Sequence, residues 1–237
     1  MNKLKAFIAL DSESHKKNLL IVKNLRRYVY GFKIGYRSFY KDGNKVLIKE
    51  IKKTSKLFLD LKMHDIPNTV AQGLSSLKTI NPDYLTLHIS GGKKMLEEAR
   101  KFIQKEKLKT KILGVTLLTS LDDSDIHSMY GKIKTDELLK NFANLAKKSE
   151  IDGLICSGKD LGFLKSYKNL LKVTPGVSLY ERKKDDQKRT VSALEAFKNG
   201  ADFIVVGREI INDKNSVNTL KLYYEENKNK NKNLWST

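Results

Sequence analysis

Eight short apolar segments alternating with helical segments predict an α/β fold, a single-domain (β/α)8 TIM barrel. Alternation of strand and helix implies a parallel sheet. Eight such units imply closure into a barrel. The length agrees, since 237 residues is close to the roughly 250 that a barrel of this kind uses. A doubly wound open sheet is the alternative. It usually has fewer strands and a glycine-rich turn after the first one, whereas here the first strand runs into Asp11-Ser12-Glu13.

Residues 5–11 read as a buried strand ending in Asp11. Ser12 or Ser14 caps the next helix, about 13–27, whose Leu19, Leu20, Val22 and Leu25 form an apolar side. The second strand, 28–34, ends at Lys33-Ile34-Gly35. A short helix from about 37 breaks near Gly43 and resumes over 45–53. Strand three is 57–61. Pro67 suits the first turn of a helix running to about 80, and Asn81-Pro82 ends it. Strand four, 84–88, ends in His88, and Gly91-Gly92 leads into a helix to about 107. Strand five is 111–116. A loop or short helix over 120–130 and a helix over 135–149 follow. Strand six is 152–156, a helix spans about 159–167, and strand seven is 171–174.

The polar segment 176–189 is too long for a routine connection. It reads as a lid or as a floppy insertion. A helix over 191–199 is closed by Gly200, strand eight is 201–206, and Gly207-Arg208-Glu209 opens the last helices. The barrel domain is thus 1–226. The lysine- and asparagine-rich tail, 227–237, is expected to fray.

Hydrophobic residues make up 40% of the chain, which excludes disorder as a whole. No apolar run approaches a membrane span. The N-terminal residues lack the long apolar core of a signal peptide. The lone cysteine, Cys156, rules out an intrachain disulfide and fits a cytoplasmic protein. The net charge of +19 raises nucleic-acid binding. However, the lysines are spread over almost every helix, and clustering is the footprint of such a surface. A positive field that draws in a phosphorylated substrate is the milder consequence.

In a barrel, chemistry gathers at the C-terminal ends of the strands. Here those ends supply Asp11; Lys33; Asp60, Lys62 and Asp65; His88; Thr116 with Thr119 and Ser120; Thr174-Pro175-Gly176; and Gly207-Arg208. Asp60 and Lys62, two apart, share a strand face, and Leu59 and Leu61 share the other. As a solvated ion pair they would mean little. As charges on an interior face they cost free energy unless paired. Gly207 permits close backbone approach and Arg208 offers a fork of donors; Gly-Arg after a strand is otherwise an ordinary turn, but its place in the barrel favours a phosphate site. The four histidines, His15, His64, His88 and His127, show no metal-ligand spacing, so no metal is expected. Neutral packing roles are expected for His64 and His88, and a structural one for the Cys156 thiol.

The run Asp60-Leu61-Lys62-Met63-His64-Asp65-Ile66-Pro67-Asn68-Thr69 resembles the signature of the orotidine 5′-phosphate decarboxylase family in its bacterial form. The likeness extends to Ala9-Leu10-Asp11, Phe32-Lys33-Ile34-Gly35, His88 with Gly91-Gly92, residues 115–120, Thr174-Pro175-Gly176, residues 185–189 and Val206-Gly207-Arg208. The Asp-x-Lys-x-x-Asp core is shared with metal-dependent sugar-phosphate relatives. Continuation into Ile-Pro-Asn-Thr, and Lys33 where those relatives carry an acid, belong to the decarboxylase.

The resemblance implies loss of CO2 from orotidine 5′-monophosphate to give uridine 5′-monophosphate, the last step of pyrimidine synthesis, without a cofactor. It implies Lys62 as proton donor to C6 and Asp60 beside the departing carboxylate. Lys33 and Asp65 complete an alternating charge array, Asp65 reaching in from the second subunit of a homodimer with shared active sites. Asp11 and Lys33 hold the ribose. Ile66 and Thr69 belong to the cross-subunit contribution. Thr119 and Ser120 lie near the pyrimidine, with Ser120 reading its edge, and Pro175 lies near the base. Gln187, Gly207 and Arg208 bind phosphate. In one departure, Ser178 stands where the family has an arginine, and Arg182 is the candidate replacement. A metal-dependent sugar-phosphate decarboxylase or aldolase of the same superfamily, and a basic nucleic-acid-binding protein, are the alternative readings.

Overall fold

The structure, a computed structural model, describes residues 2–41, 44–180, 191–230 and 232–236. Eight parallel strands form the barrel wall: β1 (Lys3–Ala9), β2 (Val29–Gly35), β3 (Lys56–Met63), β4 (Tyr84–His88), β5 (Lys111–Val115), β6 (Gly153–Ile155), β7 (Leu171–Pro175) and, after two short strands, β10 (Phe203–Val206). Each pairs with its neighbour in chain order, and β10 pairs with β1 through Ala6↔Ile204, Phe7↔Val205 and Ile8↔Val206, which closes the sheet. The short strands β8 (Val177–Ser178) and β9 (Val191–Ser192) pair with each other outside the wall. Closure gives each of the eight wall strands a partner on both sides.

The helices are α1 (His15–Leu25), α2 (Tyr36–Phe39), α3 (Asn44–Lys52), α4 (Pro67–Ser76), α5 (Gly92–Lys105), α6 (Asp123–Tyr130), α7 (Thr135–Lys148), α8 (Ala193–Lys198), α9 (Arg208–Ile211) and α10 (Ser216–Asn227). Of the two serines, Ser14 caps α1, accepting the Lys17 N–H at 3.3 Å. Pro67 opens α4. The segment read as a loop or short helix is α6, started by reciprocal bonds between Asp122 and Asp125.

Two expectations are corrected. The helix expected at 159–167 is a single 3-10 stretch, Asp160–Leu164. Leu161 and Leu164, three apart, are both fully buried, which matches a three-residue turn. The tail expected to fray instead docks over its described part. β11 (Trp235–Ser236) runs antiparallel to the start of β1. Leu234 and Trp235 are buried, and the Trp235 ring meets Tyr224 edge-on at 4.7 Å. Two large apolar residues outweigh the polar composition around them.

Strand alternation divides the core. Phe7, Ala9, Phe58, Tyr84, Val115, Val173 and Val205 fill the barrel interior. Their strand neighbours, such as Ile8, Leu57, Leu59, Leu85 and Ile204, pack outward among the helix-facing residues. The N-terminal end of the interior is plugged by rings. Phe7 lies edge-on to Tyr30, Phe58 and Tyr84 at 5.2–5.5 Å, and the Tyr30 and Tyr84 hydroxyls meet at 3.0 Å. Gly31 sits where a Cβ would run into the Lys56 carbonyl and the Phe7 ring. With that end closed, the interior opens at the C-terminal ends of the strands.

Candidate active site

The same alternation that points Phe58 into the barrel points Asp60 there too, one step nearer its open end, and Lys62, past a break in the strand pairing, lines the same mouth. From β1, Ala9 is followed on that face by Asp11. From β2, Lys33 enters beside Asp60. The result is a line of alternating charge. Asp11 Oδ1 lies 3.7 Å from Lys33 Nζ. Lys33 Nζ lies 3.3 Å from Asp60 Oδ2, and the same oxygen meets Lys62 Nζ at 2.8 Å. The other Asp60 oxygen accepts the Thr86 hydroxyl at 3.0 Å.

Asp60 is almost fully buried, and burial alone would raise its carboxyl. The Lys33 and Lys62 charges, with hydrogen bonds from Lys62 and Thr86, outweigh that and hold it below the ordinary carboxylate range. One carboxylate oxygen shared by two ammonium groups fixes where both point.

Asp11, Lys33, Asp60 and Lys62 line a cavity of about 300 Å³ at the barrel mouth. Thr119, Pro175, Gly176, Gly207 and Arg208 line it as well, so residues singled out from sequence at the ends of six strands converge on one space. Arg208 is exposed and, among the described residues, makes no ion pair, which leaves its guanidinium available to an anion. Ser178, buried in β8, also lines the cavity. Its neighbour Leu179 donates its N–H to Glu209 Oε2 at 3.0 Å, tying this wall to the Gly207-Arg208 turn.

Other predicted residues lie elsewhere. Ser120 lines an adjoining cleft of about 660 Å³ that shares Thr119, Pro175 and Gly176 with the first. Asp65, Ile66 and Thr69 are exposed outside the cavity, and Asp65 accepts the N–H of Ile66 at 2.7 Å. Arg182 and Gln187, with most of the segment read as a lid, lie outside the described residues.

His64 and His88 pack ring to ring, centroids 5.3 Å apart. Burial, then the His64 and Lys62 charges, lower the His88 imidazole. Among the described residues, no three His, Cys, Asp or Glu side chains are grouped to hold a metal. Cys156 is buried, and its thiol is pushed up to about 12, by burial first and Asp160 next.

Sequence reasoning missed Thr86 and Tyr36. Thr86 interrupts the apolar run Tyr84-Leu85-Thr86-Leu87 on the same parity as the interior Tyr84, which was a usable signal. Tyr36, whose hydroxyl donates to the Leu61 carbonyl, carried none.

A closed barrel with a carboxylate–ammonium array at its mouth and, across the cavity, an arginine that has no ion pair among the described residues defines a barrel enzyme for a small anionic substrate. The chain belongs to the Orotidine 5'-phosphate decarboxylase / HUMPS family, whose model matches residues 5–223. The orotidine 5'-phosphate decarboxylase of Carboxydothermus hydrogenoformans is 39% identical over 227 residues, spanning 92% of this chain and 94% of the relative. That of Malacoplasma penetrans is 37% identical over 219 residues, 91% of this chain and 94% of the relative. The crystal structure of orotidine 5'-phosphate decarboxylase from Lactobacillus acidophilus superposes with a TM-score of 0.79 at 28% identity, over 94% of this chain and 99% of that one. No described helix is long and apolar enough to cross a membrane.

Proposed function

We propose that the protein converts orotidine 5′-monophosphate to uridine 5′-monophosphate and CO2, the step that completes UMP in pyrimidine biosynthesis. The observation that carries this reading is the Lys33–Asp60–Lys62 array, with a lysine at the end of β2 and both ammonium groups ion-paired with one buried carboxylate. Cleavage of the bond between C6 and its carboxyl group leaves an electron pair on C6 with no adjacent carbonyl to delocalise it. A fixed ammonium in a water-poor pocket stabilises that charge as it forms. Lys62 then gives a proton to C6 and becomes a neutral amine, which solvent reprotonates. Asp60 lies beside the departing carboxylate, Asp11 and Lys33 hold the ribose, Thr119, Ser120 and Pro175 surround the base, and Gly207 and Arg208 take the phosphate. No cofactor is required. Phosphate binding far from C6 contributes to the chemical step.

The exposed run Asp65, Ile66 and Thr69 supports a homodimer in which each subunit completes its partner's site. A buried free thiol suits the reducing cytoplasm, where we place the enzyme. The test is the loss of orotidine 5′-monophosphate absorbance with chelator present. Turnover that vanishes with chelator and returns with a divalent metal would instead support the sugar-phosphate relatives' chemistry. Lys62→Ala should fold yet turn over almost nothing. Mixing Lys62→Ala with Asp65→Ala subunits should restore part of the activity, and no recovery despite subunit exchange would sink the shared site.

A further inference from the structure

The peptide unit joining Leu61 to Lys62 is held from both sides. Its carbonyl accepts the Tyr36 hydroxyl. Its N–H donates to Thr86 Oγ1 at 2.8 Å. Lys62 itself has φ +40°, a left-handed conformation that a side chain with a Cβ adopts only at a cost. The pairing of β3 with β4 breaks at the same place. Leu59 is opposite Leu85 and Met63 is opposite Leu87, so four residue steps on β3 face two on β4. Strain of this kind persists only where surrounding contacts over-determine it.

Thr86 is fully buried on β4, and its hydroxyl has one proton. An ionised carboxylate only accepts, so that proton goes to Asp60 Oδ1 at 3.0 Å. The oxygen's lone pairs are then left for the Lys62 N–H. Thr86 therefore joins the backbone of Lys62 to the same carboxylate that the Lys62 ammonium meets at 2.8 Å. Tyr36 closes the other side. Burial, then Tyr40 and Asp60, raise its phenol above the ordinary value, so it stays a donor.

We propose that Thr86 and Tyr36 are positioning residues, which clamp the Leu61–Lys62 peptide in its left-handed form and so aim the Lys62 ammonium at Asp60 and at the reacting carbon. This rests on the reading of Lys62 as proton donor. Without the clamp the backbone relaxes toward ordinary strand geometry and the ammonium leaves its place. The ribose and phosphate contacts from Asp11, Lys33 and Arg208 are untouched. The loss therefore falls on turnover and not on binding.

The test compares Thr86→Val, which keeps shape and removes the hydroxyl, with Thr86→Ser, which restores it, and with Tyr36→Phe. We expect kcat to fall about 10- to 100-fold in Thr86→Val, the scale of a small misplacement of a catalytic group. KM, and the affinity for uridine 5′-monophosphate, should stay within about twofold. Thr86→Ser should recover most of kcat, and Tyr36→Phe should show the same split more weakly. Hydrogen exchange of the Lys62 amide, followed by NMR in the intact protein, should be slow in wild type and Thr86→Ser and fast in Thr86→Val. That readout needs no turnover, so it tests the clamp even if the wild type fails to decarboxylate, an outcome that would refute the proposed function alone. If Thr86→Val does not fold, Tyr36→Phe and Thr86→Ser carry the comparison. Unchanged kcat and amide exchange in the hydroxyl-less variants would overturn the proposal, as would a Thr86→Ser no better than Thr86→Val, or equal losses in kcat and nucleotide affinity.

Discussion

Replacing Asp60 by asparagine keeps the shape of the side chain and removes the one charge that two ammonium groups share. At separations of 2.8 and 3.3 Å and an effective dielectric of about 20, the gross attractions are about 6 and about 5 kcal/mol. Most of this is cancelled by the cost of desolvating three charged groups. What survives is the penalty of leaving partners uncompensated, about 3–5 kcal/mol when one member of a buried pair is removed. Lys33 keeps Asp11 at 3.7 Å, and the Lys62 side chain is 29% exposed, so both cations retain some screening. The expected loss is therefore at the lower end, about 3 kcal/mol, or about 6–12 °C in melting temperature for a chain of this size.

The pH dependence has a definite sign. Because the folded state holds Asp60 below the ordinary carboxylate range, the advantage of wild type is fully present above the unfolded pKa of about 4 and is lost as pH falls through the folded value. Urea denaturation of both proteins, from neutral pH down to the most acidic pH at which each still folds, measures the difference. A gap under about 1 kcal/mol at neutral pH, below the range for breaking a buried pair, would refute the account of Asp60. So would a gap that does not narrow on acidification.

Arg208→Ala should weaken phosphorylated ligands by about 1.5–3 kcal/mol, the worth of charge-assisted hydrogen bonds, and leave the bare nucleoside unaffected. Calorimetry with both ligands decides, and an equal loss for the two would remove the arginine from the phosphate site. Trp235→Ala should cost about 3–5 kcal/mol of stability in urea, because the ring is buried against Tyr224 beside the start of β1. The kcat should stay unchanged, since that end of the barrel is closed off from the cavity. A loss under about 1 kcal/mol, well short of a buried aromatic's contribution, would return the tail to a frayed state.

Much of the site was legible because barrel strands obey a two-residue period. Once residues 57–61 read as a parallel strand, the parity that buries Phe58 inside also commits Asp60 to the interior, and the position of the strand end commits Asp60 and Lys62 to the mouth. Asp11, Lys33 and the Gly207-Arg208 turn followed by the same rule. Elements set by short-range balance were less legible. The 3-10 turn at Asp160–Leu164 and the docked Trp235 each depend on one or two buried side chains that composition averages away.

By itself, then, the sequence determined the barrel and the charges at its mouth, since periodicity and residue type act locally, and its resemblance to the decarboxylase family implied the chemistry they serve. Only the tertiary structure decided how those charges are held. It put Lys33 and Lys62 on the same oxygen of Asp60. It brought Thr86 and Tyr36, from two other parts of the chain, onto the Leu61–Lys62 peptide, where they support a left-handed lysine that no local preference would choose. It also parted Ser120 into a neighbouring cleft and left Asp65, Ile66 and Thr69 facing outward. Contacts between strands distant in sequence settle these matters, because backbone strain and shared hydrogen bonds depend on which neighbours closure of the barrel brings together.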